Sequence, residues 1–110
     1  MSLGAEEIAF ARDLFRDLPD LSTHRMFGGL GIYSEGRILA LMRSDGQFLL
    51  KAQDGPFAER LAAEGCEKWT YTRKNGTPSS MPYWTLPDTA LDDPALAADW
   101  GRAALEALDG

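Results

Sequence analysis

The sequence contains one cysteine and one histidine among its 110 residues. Cys66 cannot form a disulfide within the chain, which favours a reducing compartment. The N-terminus lacks the basic and apolar segments of an export signal, so we expect a cytoplasmic protein. His24 and Cys66 lie far apart in sequence and are the only imidazole and thiol groups, which argues against a metal site. We therefore expect no metal and no cofactor.

Long hydrophobic runs are also missing. The apolar segment Ile38–Met42 is far too short to cross a bilayer, and no membrane partner is expected. Apolar residues nevertheless make up 45% of the chain, which is enough for a packed core. A chain of 110 residues suits one domain, and we predict a single domain over residues 1–110.

Positive charge is scarce at both ends of the chain. The net charge is -6: residues 1–22 hold five acids and two bases, and residues 87–110 hold six acids and only Arg102. Residues 23–86 hold eight bases and six acids. An acidic domain repels the phosphate backbone at long range, so we expect no direct binding of nucleic acid. A mildly basic sheet face is still compatible with these numbers.

Three segments have the periodicity of amphipathic helices. The first covers residues 5–18 and ends at Pro19. The second runs from Asp54 as N-cap to about Glu64, with Gly65 as the stop. The third begins at Asp92-Asp93-Pro94, where a carboxylate caps the helix, and reaches about residue 108. Its apolar stripe is predicted to consist of Leu96, Trp100, Ala103 and Ala107.

Short apolar segments separated by glycine-containing turns predict antiparallel strands. The segment Arg37–Arg43 is apolar on both faces and is expected at the centre of the sheet. The segment Ser80–Leu86 is expected at an edge, because Pro78, Pro82 and Pro87 each lack a backbone donor. The remaining predicted strands are Leu30–Ser34, Gln47–Ala52 and Lys68–Arg73, with Arg25–Phe27 as an additional short strand. The fold class is α+β: a mostly antiparallel sheet of about five strands with flanking helices, in the order α-β(3)-α-β(2)-α.

The most distinctive segment is Arg25-Met26-Phe27-Gly28-Gly29-Leu30-Gly31-Ile32-Tyr33. Crowded glycines indicate a positive φ, a bulge or the close approach of another segment. We expect a positive φ at Gly29, so that Gly29→Val destabilises the fold. The segment lacks the Lys-Ser/Thr tail of a P-loop and the strand–helix context of a dinucleotide site, which excludes both. It indicates architecture rather than catalysis.

Aromatic residues in the predicted strands allow more than one interpretation. Interleaved aromatic and basic residues are typical of sheets that stack bases, but core packing uses the same aromatics, and we favour the core. Tyr83 and Trp84 are expected to be partly exposed at the sheet edge, where they suit a protein interface or sheet extension into a homodimer. A small-molecule sensor or enzyme stays an alternative. It requires Arg25, His24, Tyr33 and Tyr83 to converge in a pocket between sheet and helices.

The sequence also resembles the N-terminal domain of the TfoX/Sxy family, bacterial proteins linked to competence for DNA uptake. The resemblance covers nearly the whole chain and rests on these residues in order: Arg25-Met26-Phe27-Gly28-Gly29, Gly31, Tyr33, Gly36, Ala40-Leu41, Phe48-Leu49, Lys51, Asp54, Phe57, Gly65, Tyr71, Ser80-Met81, Tyr83, Pro87 and Trp100.

This resemblance implies a fold like that of secretion chaperones. Well-known members of the family are regulators that help a cyclic-AMP receptor protein act at competence promoters, and they carry a second domain that this stand-alone domain is expected to lack. We therefore expect a non-enzymatic protein-interaction module that acts on transcription through a protein partner, such as a regulator like the cyclic-AMP receptor protein. Its candidate binding residues are Arg25, Met26, Phe27, Gly28, Gly29, Tyr33, Tyr83 and Trp84.

Overall fold

The computed structural model describes residues 4–26 and 28–109 and has an α+β architecture. The described residues form three α-helices and six strands, so the predicted class is confirmed and the strand count is one higher than predicted. In chain order these are α1 (Ala5–Leu14), β1 (Leu21–Met26), β2 (Gly29–Ser34), β3 (Arg37–Met42), β4 (Phe48–Lys51), α2 (Pro56–Ala63), β5 (Lys68–Thr72), β6 (Pro78–Thr85), a 3₁₀ turn (Asp88–Ala90) and α3 (Pro94–Asp109). The additional strand is β1, which begins at Leu21, well before the short segment predicted there.

The strands form one antiparallel sheet in the order β1-β2-β3-β4-β6-β5. β3 is an inner strand, as its apolar composition predicts. β6 is also an inner strand, between β4 and β5, so its predicted edge position is wrong. A bulge explains the error: the register moves from Thr70–Ser80 to Lys68–Trp84, which leaves Pro82 outside the regular pairing with β5. Its carbonyl still accepts a hydrogen bond of 2.9 Å from the Ala52 amide. A bulge accommodates a missing donor as well as an edge does.

The helices pack on one face of the sheet. The main core combines Phe15 after α1, Leu61 of α2 and Trp100 of α3 with strand residues such as Phe48 and Leu50. A second apolar cluster contains Leu41, Leu49 and Tyr83, each next in sequence to a residue that faces the main core, and no residue of a described helix. Because side chains alternate along a strand, this second cluster lies on the opposite face.

Small residues bring α3 close to the sheet. Ala97, Gly101 and Ala104 are buried, and a methyl group at Gly101 would lie 3.0 Å from Leu18 Cδ1 and 3.2 Å from Leu39 Cδ1. The predicted stripe is correct for Trp100, which is buried, but Ala107 is exposed. The buried stripe of α3 is therefore rotated from the predicted one towards Ala97, Gly101 and Ala104, small residues that the prediction did not include.

The ends of the helices follow the predictions in part. Asp93 caps α3 as predicted, with its Oδ1 accepting a hydrogen bond of 3.2 Å from the Leu96 amide. Gly65 ends α2 with a φ of 85°. Asp54 is not the N-cap of α2: Gly55 holds that position, and Asp54 pairs with Lys68 at 2.9 Å. α1 ends at Leu14, four residues before the predicted end at residue 18.

Candidate functional site: the uncovered face of the sheet

Three glycines, one between β1 and β2 and two within β2, are each required for a different structural reason. Gly28 has a φ of 76°, a conformation that favours glycine. A side chain at Gly29 would overlap the carbonyl oxygen of Met42 on β3, although its φ is not positive. A methyl group at Gly31 would lie 2.7 Å from Met26 Sδ and 3.0 Å from Tyr33 Cε1. The expectation of positive φ was therefore wrong for Gly29, where close approach of the neighbouring strand is the cause.

The signature residues that precede these glycines do not form one site. Met26 joins the second apolar cluster, whereas Arg25 lies opposite Leu30, a residue of the main core. Because paired residues share a face, Arg25 and Met26 lie on opposite sides of β1. Phe27, the third predicted binding residue here, falls outside the described residues. The signature therefore contributes Met26, Gly29 and Tyr33 to one face and Arg25 to the other.

We define the uncovered face as the side of the sheet opposite the helices. Its centre is the buried cluster of Leu41, Leu49 and Tyr83, of which Leu41 and Tyr83 keep 7% exposure. Half-buried apolar side chains surround this centre: Met26, Ile38, Trp69 and Met81. No described helix contributes to either group, so these side chains shield one another without a second layer.

Most rings of the uncovered face contact a neighbour. Trp69 meets Tyr83 edge to face at a centroid distance of 6.5 Å, and the Arg43 guanidinium lies 5.9 Å from the Trp69 ring. His24 contacts Tyr33 edge to face at 5.0 Å. Burial, with a smaller contribution from the Tyr33 phenol, raises the pKa of Tyr83. Tyr71 differs from the other rings, because it is 42% exposed on the edge strand β5.

Tyr83 and Trp84 do not form the exposed contact pair that the edge-strand prediction implied. Tyr83 is buried on the uncovered face, and Trp84 is half-buried against the main core on the other. Among the described residues the Trp84 indole nitrogen has no hydrogen-bond partner. The position of β6 inside the sheet is the physical reason, because both flanking strands cover this part of it.

A cleft of about 130 Å³ opens at one end of the uncovered face. Met26, Gly29, Leu41, Arg43, Asp45 and Trp69 are among the residues that line it. Arg43 and Asp45 form a two-point ion pair, with Nη2–Oδ2 and Nε–Oδ1 distances of 2.6 and 3.2 Å. Hydrogen bonds from Arg43, followed by one from the Gln47 amide, lower the pKa of the Asp45 carboxyl.

Charge divides between the two layers. The six strands contain no Asp or Glu and four Lys or Arg residues, which are Arg25, Arg37, Lys51 and Lys68. The three described helices contain seven acids and three bases. This separation of charge can be read from the sequence only when the charged residues are grouped by strand and helix rather than by position along the chain.

The four polar residues that a pocket between sheet and helices requires are not gathered there. His24 and Tyr33 contact each other on the uncovered face, Tyr83 lies on that face too, and Arg25 lies on the opposite side of β1. Cys66 packs against the main core, and burial raises the pKa of its thiol. Within residues 4–26 and 28–109, no three His, Cys, Asp or Glu side chains are grouped as metal ligands would be.

The sequence as a whole matches a known family. The model of the TfoX N-terminal domain matches residues 13–108. The chain belongs to the TfoX N-terminal domain family. The match reaches from the end of α1 almost to the end of α3 and thus includes the whole sheet and the cleft. This family is associated with competence-related proteins.

No curated protein matches the chain. None of the helices in the described part of the chain combines the length and the apolar character that a membrane crossing requires.

Proposed function

We propose that this TfoX N-terminal domain is a non-catalytic protein-interaction module that acts on transcription through a protein partner. The observation that supports it best is the uncovered face, an apolar surface on a sheet whose three described helices pack on the other side. Contiguous apolar surface on a small domain is typical of an interaction site. The association of the family with competence supplies the regulatory context.

The composition of the uncovered face fits a protein partner. Met26, Trp69 and Met81 are of residue types enriched in protein interfaces, and they surround a buried centre. Binding energy in such interfaces is concentrated in a few central apolar and aromatic residues surrounded by weaker contacts. His24, Tyr33 and Tyr83 lie on the uncovered face and Arg25 lies on the opposite side of β1, so these four residues do not line a pocket between sheet and helices. This arrangement supports contact rather than catalysis as the activity.

Homodimer formation stays a prediction, but the strand proposed to pair with the second copy is a different one. β5 rather than β6 is at the edge of the sheet, and its residues Thr70, Tyr71 and Thr72 are exposed. An unpaired edge of this kind can extend into a second copy. Sedimentation velocity over a wide concentration range tests this, and a monomer at the highest concentration would refute it.

Affinity capture with two matched variants tests the proposed function. Met81→Glu places an acid on the uncovered face, and Phe10→Glu places one at an apolar position of α1 that is 48% exposed. We expect the wild type and Phe10→Glu to recover the same transcriptional regulator from native lysate and Met81→Glu to lose it. Circular dichroism checks that all three are folded. Equal recovery by both variants, or no regulator among the proteins recovered, would overturn the proposal.

A further inference from the structure

The cleft on the uncovered face has the size of a single side chain. Its volume of about 130 Å³ is close to the ~150 Å³ of an apolar protein cavity that accepts one benzene ring. Pockets for whole metabolites usually begin at about 300 Å³. The cleft therefore suits one aromatic or branched aliphatic group rather than a complete small molecule.

The cleft has an apolar lining, and the two charged side chains at its rim form an ion pair with each other. Met26, Leu41 and Trp69 supply apolar atoms, and Gly29 contributes backbone to the lining. Arg43 and Asp45 neutralise each other through their two-point ion pair. A charged group that entered the cleft would lose water without finding an unpaired partner there, so an apolar group is favoured.

The charge of the surrounding face indicates the partner's chemistry. Lys51 lies opposite Tyr83 in the sheet and therefore shares the uncovered face. Arg73 follows β5 and donates a hydrogen bond of 3.2 Å to Ser79. None of the six strands in the described part of the chain contains an acid to balance these bases. An acidic partner is attracted to such a face, whereas two copies packed face to face would bring like charges together.

The contacts of the aromatic rings favour a protein over a single-stranded nucleic acid. Base stacking requires accessible ring faces. On this surface the Arg43 guanidinium lies over Trp69, and Tyr83 is buried. The exposed rings among the described residues of this face are Tyr71 and His24, and His24 is in edge-to-face contact with Tyr33. The centre of the face combines the aliphatic side chains of Leu41 and Leu49 with the buried ring of Tyr83.

From these observations we infer that the cleft is a socket for one bulky apolar side chain, carried by an acidic segment of the partner protein. Lys51 and Arg73 meet the carboxylates of that segment, and Met26, Leu41 and Trp69 contact the inserted side chain. This inference rests on the proposed function and specifies the anchor and the charge of the partner.

Nuclear magnetic resonance with defined peptide pools tests the socket. The probes are nine-residue peptides with a central Phe or a central Ala. Their flanks are randomised over Asp, Glu, Ser and Gly in the acidic pools and over Lys, Arg, Ser and Gly in the basic pools. We expect saturable shifts of the Gly29 amide and the Trp69 indole N–H with the acidic Phe pool. Binding of the acidic Ala pool and of the basic Phe pool should be weaker by about tenfold. Equal binding of the Phe and Ala pools would overturn the inference.

Charge variants provide the matched controls. Lys51→Glu should weaken binding of the acidic Phe pool by about tenfold, whereas Arg16→Glu, at an exposed arginine that follows α1, should leave it unchanged. Equal loss of peptide binding in both variants would overturn the inference. Tighter binding of a twelve-residue oligothymidylate than of the acidic Phe pool would also overturn it, as would a homodimer that Lys51→Glu strengthens.

The socket can fail while the proposed function stands. If no peptide pool shifts Gly29 or Trp69 but Met81→Glu still loses the captured regulator, the socket is refuted and the interaction module is kept. If the pools bind as expected but capture recovers no regulator, the socket is supported and the role in transcription is refuted.

Discussion

The two faces of the sheet are built from alternating residues of the same strands, yet their apolar side chains are shielded from water in different ways. Met42 and Leu50 lie beneath the helices in the main core, and their neighbours Leu41 and Leu49 lie on the uncovered face. The covered face excludes water with a second layer, while the uncovered face relies on its own side chains. We therefore expect the covered face to supply most of the stability and the uncovered face to be available for contact.

The largest expected effect tests the covered face. Phe48 is buried and meets the rings of Phe10 and Phe15 at 5.8 and 5.9 Å. Phe48→Ala should lower the free energy of unfolding by about 3–5 kcal/mol, because it removes a buried ring and leaves a cavity. Met81→Ala on the uncovered face should lower it by about 1 kcal/mol, since Met81 is only half-buried. Urea denaturation measures both values.

A milder variant provides a measurement in case Phe48→Ala does not fold. Phe48→Leu keeps most of the side-chain volume and should lose less than about 1.5 kcal/mol. If Met81→Ala destabilised the protein as much as Phe48→Ala, the division of roles between the two faces would be wrong.

The next effect compares two glycines of β2. Gly29→Ala should lower the free energy of unfolding by about 2 kcal/mol or more, because the new methyl group overlaps the Met42 carbonyl and the backbone of β3 has to move. At Gly31 the methyl group meets the flexible end of Met26 and the Tyr33 ring, which can rotate, so Gly31→Ala should lose about 1 kcal/mol. Thermal unfolding ranks the two variants, and the reverse order would refute the close approach at Gly29.

The smallest effect concerns the charge at the edge of the cleft. The Arg43 ion pair holds the pKa of Asp45 below its ordinary value, so the pair stabilises the fold above the unfolded pKa of the carboxyl. This stabilisation is lost as the pH falls through the lower, folded-state pKa. Both side chains are substantially exposed, and the effect should be about a few tenths of a kcal/mol.

A carbon-detected pH titration of Asp45 measures this shift. Arg43→Gln should raise the pKa of Asp45 towards its ordinary value, because the first and largest cause of the shift is removed. An unchanged titration in the variant would show that the ion pair does not set the pKa.

Sequence patterns predicted the parts of the fold that depend on local chemistry. The two-sided apolar composition of β3 placed it inside the sheet, and Asp93 and Gly65 marked helix ends. The position of β6 was mispredicted because a bulge at Pro82 is a long-range property of strand pairing. The cleft was missed for the same reason: Gly29 and Trp69 are forty residues apart and meet only through the order of the strands.

The unequal lengths of β4 and β6 have a mechanical consequence. β4 pairs with Tyr83–Thr85, and beyond the Ala52–Pro82 hydrogen bond the hairpin of β5 and β6 projects past the rest of the sheet. Residues 70–78 of this arm are exposed. Each strand of the arm pairs only with the other strand, so we expect its amides to exchange with solvent faster than those of the inner strands.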